Sequence, residues 1–161
     1  MTNLIRLFIA FAGASALGVA ALANAPAPSE NTLEIVIGNG PHAGTYKPSP
    51  SDVMCMHFKQ QKQVTAVYKD FDASDLTKIG EAGMNITNPD ETGPKRGDVL
   101  VAFGARDDKR ASRYTVSIPG DSAGPITLTR NGKAADLAFQ GRTKDGISLR
   151  VTVKCLNVEE L

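Results

Sequence analysis

The chain has 161 residues, with 18 basic and 17 acidic side chains and a formal net charge of +1. A balance this even supplies no electrostatic attraction to nucleic acid or to an anionic membrane surface, so neither is expected as a partner. The length corresponds to one domain that can form its own hydrophobic core. No motif calls for a cofactor.

Residues 1–23 are predicted to be a signal peptide. Arg6 carries the only charge, residues 7–23 are apolar or small, and A-L-A-N-A at 21–25 fits Ala-x-Ala processing after Ala23. An uncleaved anchor would need about 20 strongly apolar residues, and this segment is rich in Ala and Gly. A secreted or periplasmic protein without stable membrane insertion is therefore expected, with residues 24–31 as a flexible leader and 32–161 as the folded domain.

Alternation of apolar and polar residues with period two dominates the rest of the chain and predicts β-strands. The expected strands are 32–37, 53–58, 64–68, 98–104, 112–118, 126–129, 135–141 and 147–155. Asn131-Gly132 and Asp145-Gly146 are typical of tight hairpin turns. The pattern predicts an all-β fold, an antiparallel β-sandwich of about eight strands.

One short helix is expected at 73–83, A-S-D-L-T-K-I-G-E-A-G, because Leu76 and Ile79 have helical spacing and Ser74 can cap the start. The overlapping stretch 70–81 also has acidic residues at calcium-loop spacing. Asp75 stands where such a loop needs glycine, so helix capping is preferred over a calcium site.

Cys55 and Cys155 are the only cysteines, and in an exported protein they are expected to form a disulfide. Alternation along the last strand places Cys155 on its buried face. The bridge would clamp an early strand to the C-terminal one.

The segment V-M-C-M-H-F at 53–58 contains four soft metal ligands in a row. Strand alternation places Met54, Met56 and Phe58 on one face and His57 on the other, so the ligands do not converge. The Met-Met-Phe face is expected to be a core stripe, which leaves His57 without a structural role. Periplasmic metal binding through Met54, Met56 and His57 is kept as an alternative.

The segment I-P-G-D-S-A-G-P-I at 118–126 resembles the G-D-S-G-G-P sequence around the nucleophile of chymotrypsin-like serine proteases. The resemblance implies Ser122 as nucleophile and His57 as base. The orienting acid would be Asp70, Asp72, Asp90 or Asp98. The sequence around His57 does not match that family, and the chain is short for two barrels. A tight turn is preferred, with a small serine hydrolase as the alternative.

Two features carry a resemblance in layout, G-N-G-P-H-A-G-T-Y at 38–46 and a meander ending in V-T-V-K-C at 151–155. With its two cysteines, this frame resembles small exported bacterial proteins of unknown function that have a G-P-x-A-G-x-Y motif. It is distantly similar to the mycobacterial 19 kDa lipoprotein antigens, although the lipidated cysteine of those antigens has no counterpart. The resemblance implies a fold and a compartment, and no chemistry.

These observations predict an exported, non-catalytic binding or surface-associated module with an unknown ligand. A protein or the cell envelope is the candidate partner. Residues 38–46 and the loop at 84–97 are the expected ligand-binding segments, because exposed loops on a rigid sheet often carry function.

Overall fold

The computed structural model describes residues 30–70, 74–120 and 124–161. The predicted signal peptide and residues 24–29 of the predicted leader lie outside these ranges. The described elements, in chain order, are β1 (Thr32–Ile37), β2 (Gly44–Tyr46), a short 3-10 helix (Pro50–Asp52), β3 (Val53–Phe58), β4 (Gln63–Lys69), β5 (Ile79–Thr87), β6 (Arg96–Phe103), β7 (Ser112–Ile118), β8 (Ile126–Asn131), β9 (Ala134–Arg142), β10 (Ser148–Cys155) and β11 (Glu159–Glu160). None of the described residues belongs to a helix long and apolar enough to cross a membrane.

The strands form two sheets. The five-stranded sheet has the order β2-β1-β10-β9-β8, and the six-stranded sheet has the order β11-β3-β4-β5-β6-β7. Neighbours pair antiparallel except β11, which runs parallel to β3. The expected antiparallel β-sandwich is therefore confirmed.

One hydrophobic core contains residues from both sheets, including Ile35 and Val151 of the five-stranded sheet and Val64 and Val101 of the six-stranded sheet. Along each strand these residues alternate with more exposed ones, as period two requires. The Cys55–Cys155 disulfide is present and joins β3 of one sheet to β10 of the other.

All eight predicted strands are present, with small shifts at their ends. The predicted turns also occur, with Gly132 and Gly146 at φ 62° and 80°, values that glycine adopts without strain. Three further strands were not predicted. Two of them, β2 and β11, contain only three and two residues, too few to produce a recognisable alternation.

The helix expected at 73–83 is wrong, because β5 begins at Ile79. The Asp75 carboxylate instead accepts hydrogen bonds from the Thr77 backbone N–H at 2.8 Å and hydroxyl at 2.7 Å, which closes a turn. Ile79 is then buried and pairs with Phe103 of β6. Pairing with two neighbouring strands outweighs the local helical spacing.

The expected core stripe on β3 is also wrong. That stripe was Met54, Met56 and Phe58. The inward residues are Val53, Cys55 and His57, exposed by 4%, 4% and 7%, whereas Met54 is 46% exposed. Because Cys55 must reach Cys155, which is itself buried on β10, the cysteine face of β3 is the core face.

Candidate functional site

His57 is a buried histidine on the inward face of β3, two residues beyond the disulfide. Its side chain is only 9% exposed, and within the described part of the chain its Nδ1 has no hydrogen-bonding partner. Buried polar atoms in folded proteins are almost always paired, because an unpaired one loses its hydration without compensation. An unpaired imidazole nitrogen at this depth marks His57 as a candidate for binding a ligand or an ordered water.

A pocket of about 550 Å³ lies beside this imidazole. It is lined by His57, Lys59, Lys62 and residues 88–91. The volume is within the range of small-molecule sites in proteins, roughly 300–1,000 Å³.

Backbone and side-chain hydrogen bonds anchor the loop that forms one wall of the pocket. The Asn88 N–H donates to the carbonyl of Lys62 at 2.7 Å, joining the loop after β5 to the β3–β4 turn. Lys95 Nζ donates to the carbonyl of Pro89 at 2.8 Å and to that of Glu91. The pocket is therefore formed by an anchored loop.

Glu160 of β11 approaches the same imidazole from the side. Its Oε2 lies 2.5 Å from Lys59 Nζ, and its Oε1 lies 4.0 Å from Nδ1 of His57. The hydrogen bond and charge of Lys59, followed by the charges of His57 and Arg130, lower the pKa of Glu160. The carboxylate is therefore ionised at neutral pH and lies between the Lys59 ammonium and the His57 imidazole.

The charges around the pocket are only partly paired. Lys59 pairs with Glu160, and Arg130 of β8 lies 3.6 Å from the Asp90 carboxylate. Among the described residues, Lys62 and Glu91 form no side-chain ion pair at all. The mouth of the pocket therefore presents one free positive and one free negative side chain.

A second, larger hollow of about 650 Å³ lies on the outer face of the five-stranded sheet and includes Lys47, Arg150 and Glu34 among its lining residues. Glu34 bonds Lys47 at 2.9 Å and lies 3.5 Å from Arg150. The hydrogen bond from Lys47 is the main cause of the lowered pKa of Glu34. Because none of its lining residues has a buried polar atom without a partner in the described part of the chain, this hollow is the weaker candidate despite its size.

Two residues of the segment 38–46, which was expected to bind ligand, pack against the domain, and the others are exposed. The His42 ring stacks on Phe103 with centroids 4.0 Å apart, and its Nδ1 lies 2.7 Å from the Tyr114 hydroxyl. The Tyr46 hydroxyl donates to the His42 carbonyl at 2.9 Å. Burial raises the pKa of Tyr114, and the Tyr46 charge adds to the effect. His42 and Tyr46 therefore fix the segment to the core, and the exposed residues around them keep the predicted ligand-binding role.

Asn39 fastens the start of the same segment to β10. Its Oδ1 accepts a hydrogen bond from the Ser148 N–H at 2.7 Å, and its Nδ2 donates to the Gly146 carbonyl at 3.3 Å. Gly40 has φ 88°, and a Cβ there would lie 2.8 Å from the Ile147 side chain. Only glycine fits this approach without strain.

The structure separates the residues of the metal alternative. Met54 is exposed and Met56 half-buried on the outer face of β3, whereas His57 points inward. In the described ranges, no group of three or more His, Cys, Asp or Glu side chains is placed to hold a metal ion.

Part of the hydrolase alternative lies outside the described residues, namely Ser122 and Asp72. Of its other acids, Asp90 lines the pocket beside His57, and Asp98 accepts a hydrogen bond from the Ser117 hydroxyl at 2.6 Å on the outer face of the sheet. Asp70 directly follows β4 and lines a different hollow from His57.

Of the segment predicted at 84–97, residues 84–87 and 96–97 belong to β5 and β6, and residues 88–91 line the pocket. The sequence did not identify Lys59, Lys62 and Glu160 as residues of the candidate site. The two lysines occur in a turn that reads as ordinary solvated polar sequence, and Glu160 lies about a hundred residues from its partners. No local signal could have found the glutamate.

The chain matches no protein-family model and has no significant similarity to a curated protein or to a solved structure.

Proposed function

We propose that this protein is an exported, non-catalytic binding module whose ligand site is the pocket beside His57. The observation that carries the proposal is the buried Nδ1 of His57, which has no hydrogen-bonding partner in the described part of the chain and belongs to a residue that lines a pocket of about 550 Å³. Such a nitrogen is destabilising unless it bonds a ligand or an ordered water, and its place on a pocket-lining residue favours a ligand.

Three features support export and a binding role. The N-terminal segment has the pattern of a signal peptide, and the Cys55–Cys155 disulfide is typical of an oxidising compartment. The disulfide also ties β3 to the opposite sheet two residues before His57. A rigid strand holds the imidazole in place, as a preorganised site requires.

The test is an NMR titration of the full chain with small probes of three charge types: benzoate, benzamide and benzylamine. We expect shifts in backbone amide resonances to cluster at His57, Lys59, Lys62 and residues 88–91. The variant His57→Leu should lose them. Met54→Ala, on the opposite face of the same strand, should keep them.

Shifts that cluster elsewhere, such as at the hollow beside Glu34 and Arg150, would contradict the proposal, as would the absence of any response to all three probes. A serine-directed fluorophosphonate distinguishes the hydrolase. Stoichiometric labelling that disappears in Ser122→Ala would replace the binding module by an enzyme.

A further inference from the structure

We infer that the pocket beside His57 binds a carboxylate, and that the Glu160 side chain occupies the carboxylate position until a ligand replaces it. The inference rests on the proposed function and specifies the chemistry of its ligand.

The Glu160 carboxylate lies between Lys59 and His57. One of its oxygens lies 2.5 Å from Lys59 Nζ, and the other lies 4.0 Å from Nδ1 of His57. The planar two-oxygen group therefore spans the gap between an ammonium and an imidazole. Glu160 reaches these two groups from a neighbouring hollow that it lines together with Arg130. Because Lys59 and His57 both line the pocket itself, a carboxylate entering from the pocket would meet the same two residues.

Glu160 completes a close contact with Lys59 but not with His57. A separation of 4.0 Å between Oε1 and Nδ1 exceeds the usual hydrogen-bonding range of about 2.7–3.2 Å. Backbone hydrogen bonds on either side restrain β11: the Leu161 N–H donates to the His57 carbonyl at 2.9 Å, and the Lys59 N–H donates to the Leu161 carbonyl at 3.1 Å. A free carboxylate has no such restraint and can approach Nδ1 fully.

The Glu160 side chain can move away from Lys59 and His57. Its side chain is 52% exposed, and a solvent-exposed ion pair with a flexible lysine contributes little stability. Turning the carboxylate into water would free Lys59 without breaking the β11–β3 backbone bonds.

The charges of the two acidic residues on the pocket wall are offset by nearby basic residues. Asp90 lies 3.6 Å from Arg130, which offsets its charge. Lys62 lies on the opposite wall with no ion-pair partner in the described ranges and offsets Glu91. Once Glu160 has left, the pocket has a surplus of positive charge from Lys59, which favours an anion.

The experiment is calorimetric titration of the full chain with benzoate and benzamide, which share size and shape and differ in charge. We expect benzoate to bind about 10-fold more tightly than benzamide, because its hydrogen bonds to Lys59 and His57 are charge-assisted. Glu160→Gln should tighten benzoate about 5-fold, since a neutral amide competes less well for the ammonium of Lys59. Its effect on benzamide should be smaller than about 2-fold.

The matched control is Glu159→Gln. This variant changes the net charge equally and lies next to Glu160 on β11, but Glu159 forms no ion pair with a described residue. It should alter the benzoate affinity by less than about 2-fold. Equal effects of the two variants would show a general charge effect and overturn the inference.

Other outcomes separate this inference from the proposed function. If benzamide binds as tightly as benzoate while shifting resonances at His57, the carboxylate preference fails and the pocket stands. If inorganic phosphate binds and benzoate does not, the pocket stands and the carboxylate assignment fails. If no probe binds wild type or Glu160→Gln, both proposals fail.

Discussion

Nδ1 of His57 and Oε1 of Glu160 face each other across 4.0 Å, and neither atom completes a hydrogen bond with the other. The imidazole belongs to a strand clamped by the disulfide, and the carboxylate belongs to a two-residue strand at the other end of the sequence. Nδ1 of His57 is therefore left without a hydrogen bond inside the protein, in a residue that lines a pocket.

Replacing His57 with leucine is expected to stabilise the fold while abolishing binding. The change removes a buried nitrogen that has no partner among the described residues and substitutes an apolar side chain of similar size. The free energy of unfolding should rise by about 1 kcal/mol. Urea denaturation followed by circular dichroism measures it. A decrease of about 1 kcal/mol or more would mean that the imidazole has a structural bond after all.

Replacing His42 should have the opposite effect. His42→Ala removes the stack on Phe103 and the hydrogen bond with Tyr114, which is 9% exposed. The expected loss is about 1–3 kcal/mol, since the Tyr114 hydroxyl loses its partner. A double-mutant cycle with Tyr114→Phe isolates the hydrogen bond by the same denaturation measurement. Strict additivity of the two changes would contradict a direct bond.

The two methionines Met54 and Met84 form a matched pair for the burial assignment. Met84 is 1% exposed and Met54 is 46% exposed. Met84→Ala should reduce the free energy of unfolding by about 2–5 kcal/mol, because it leaves a cavity in the core. Met54→Ala should change it by no more than about 0.5 kcal/mol. Comparable losses of unfolding free energy in urea denaturation would show that the Met54 face of β3 belongs to the core.

Removing the disulfide should destabilise the protein strongly. The bridge closes a loop with a sequence separation of 100 residues, which corresponds to about 4–5 kcal/mol in the chain-entropy model. The double variant Cys55→Ala/Cys155→Ala avoids a stray thiol, and its melting temperature is compared with that of wild type. A melting temperature within a few degrees of wild type would show that core packing alone holds the sheets together.

Asp108 is expected to have a pKa well below the ordinary value of an aspartate. Hydrogen bonds from the Arg110 side chain and backbone, together with its charge, lower the pKa of Asp108 to about 2. Because the folded-state pKa lies below the unfolded value, the contribution to stability is complete above the unfolded pKa. It is lost as the pH falls toward about 2. Carboxyl ¹³C NMR should show this titration.

The matched variant for that titration is Arg110→Gln, which removes the guanidinium that bonds the carboxylate at 2.8 Å. The pKa of Asp108 should then rise toward its ordinary range. A titration curve for Asp108 that is identical in both proteins would show that the arginine does not cause the shift.

The sequence allowed part of the site to be recognised. His57 stood out because the strand pattern left it without a structural role, and residues 88–91 belong to a loop predicted to bind ligand. Lys59 and Lys62 looked like ordinary turn residues. Glu160 could not be found, because its contact with His57 spans about a hundred residues and leaves no periodic trace.

By itself, the sequence determined the features that depend on short-range patterns. Period-two alternation identified eight strands, Asn131-Gly132 and Asp145-Gly146 marked their hairpin turns, and the presence of two cysteines alone specified the disulfide. Each of these follows from the geometry of a few neighbouring residues or from counting.

Tertiary structure decided what local patterns leave open. Leu76 and Ile79 have helical spacing, yet a strand begins at Ile79 because β5 pairs with both β4 and β6. Alternation shows that β3 has two faces, but only the bond from Cys55 to the buried Cys155 selects the inward one. The same long-range contact carries His57 into the interior, where Glu160 and the loop at 88–91 meet it.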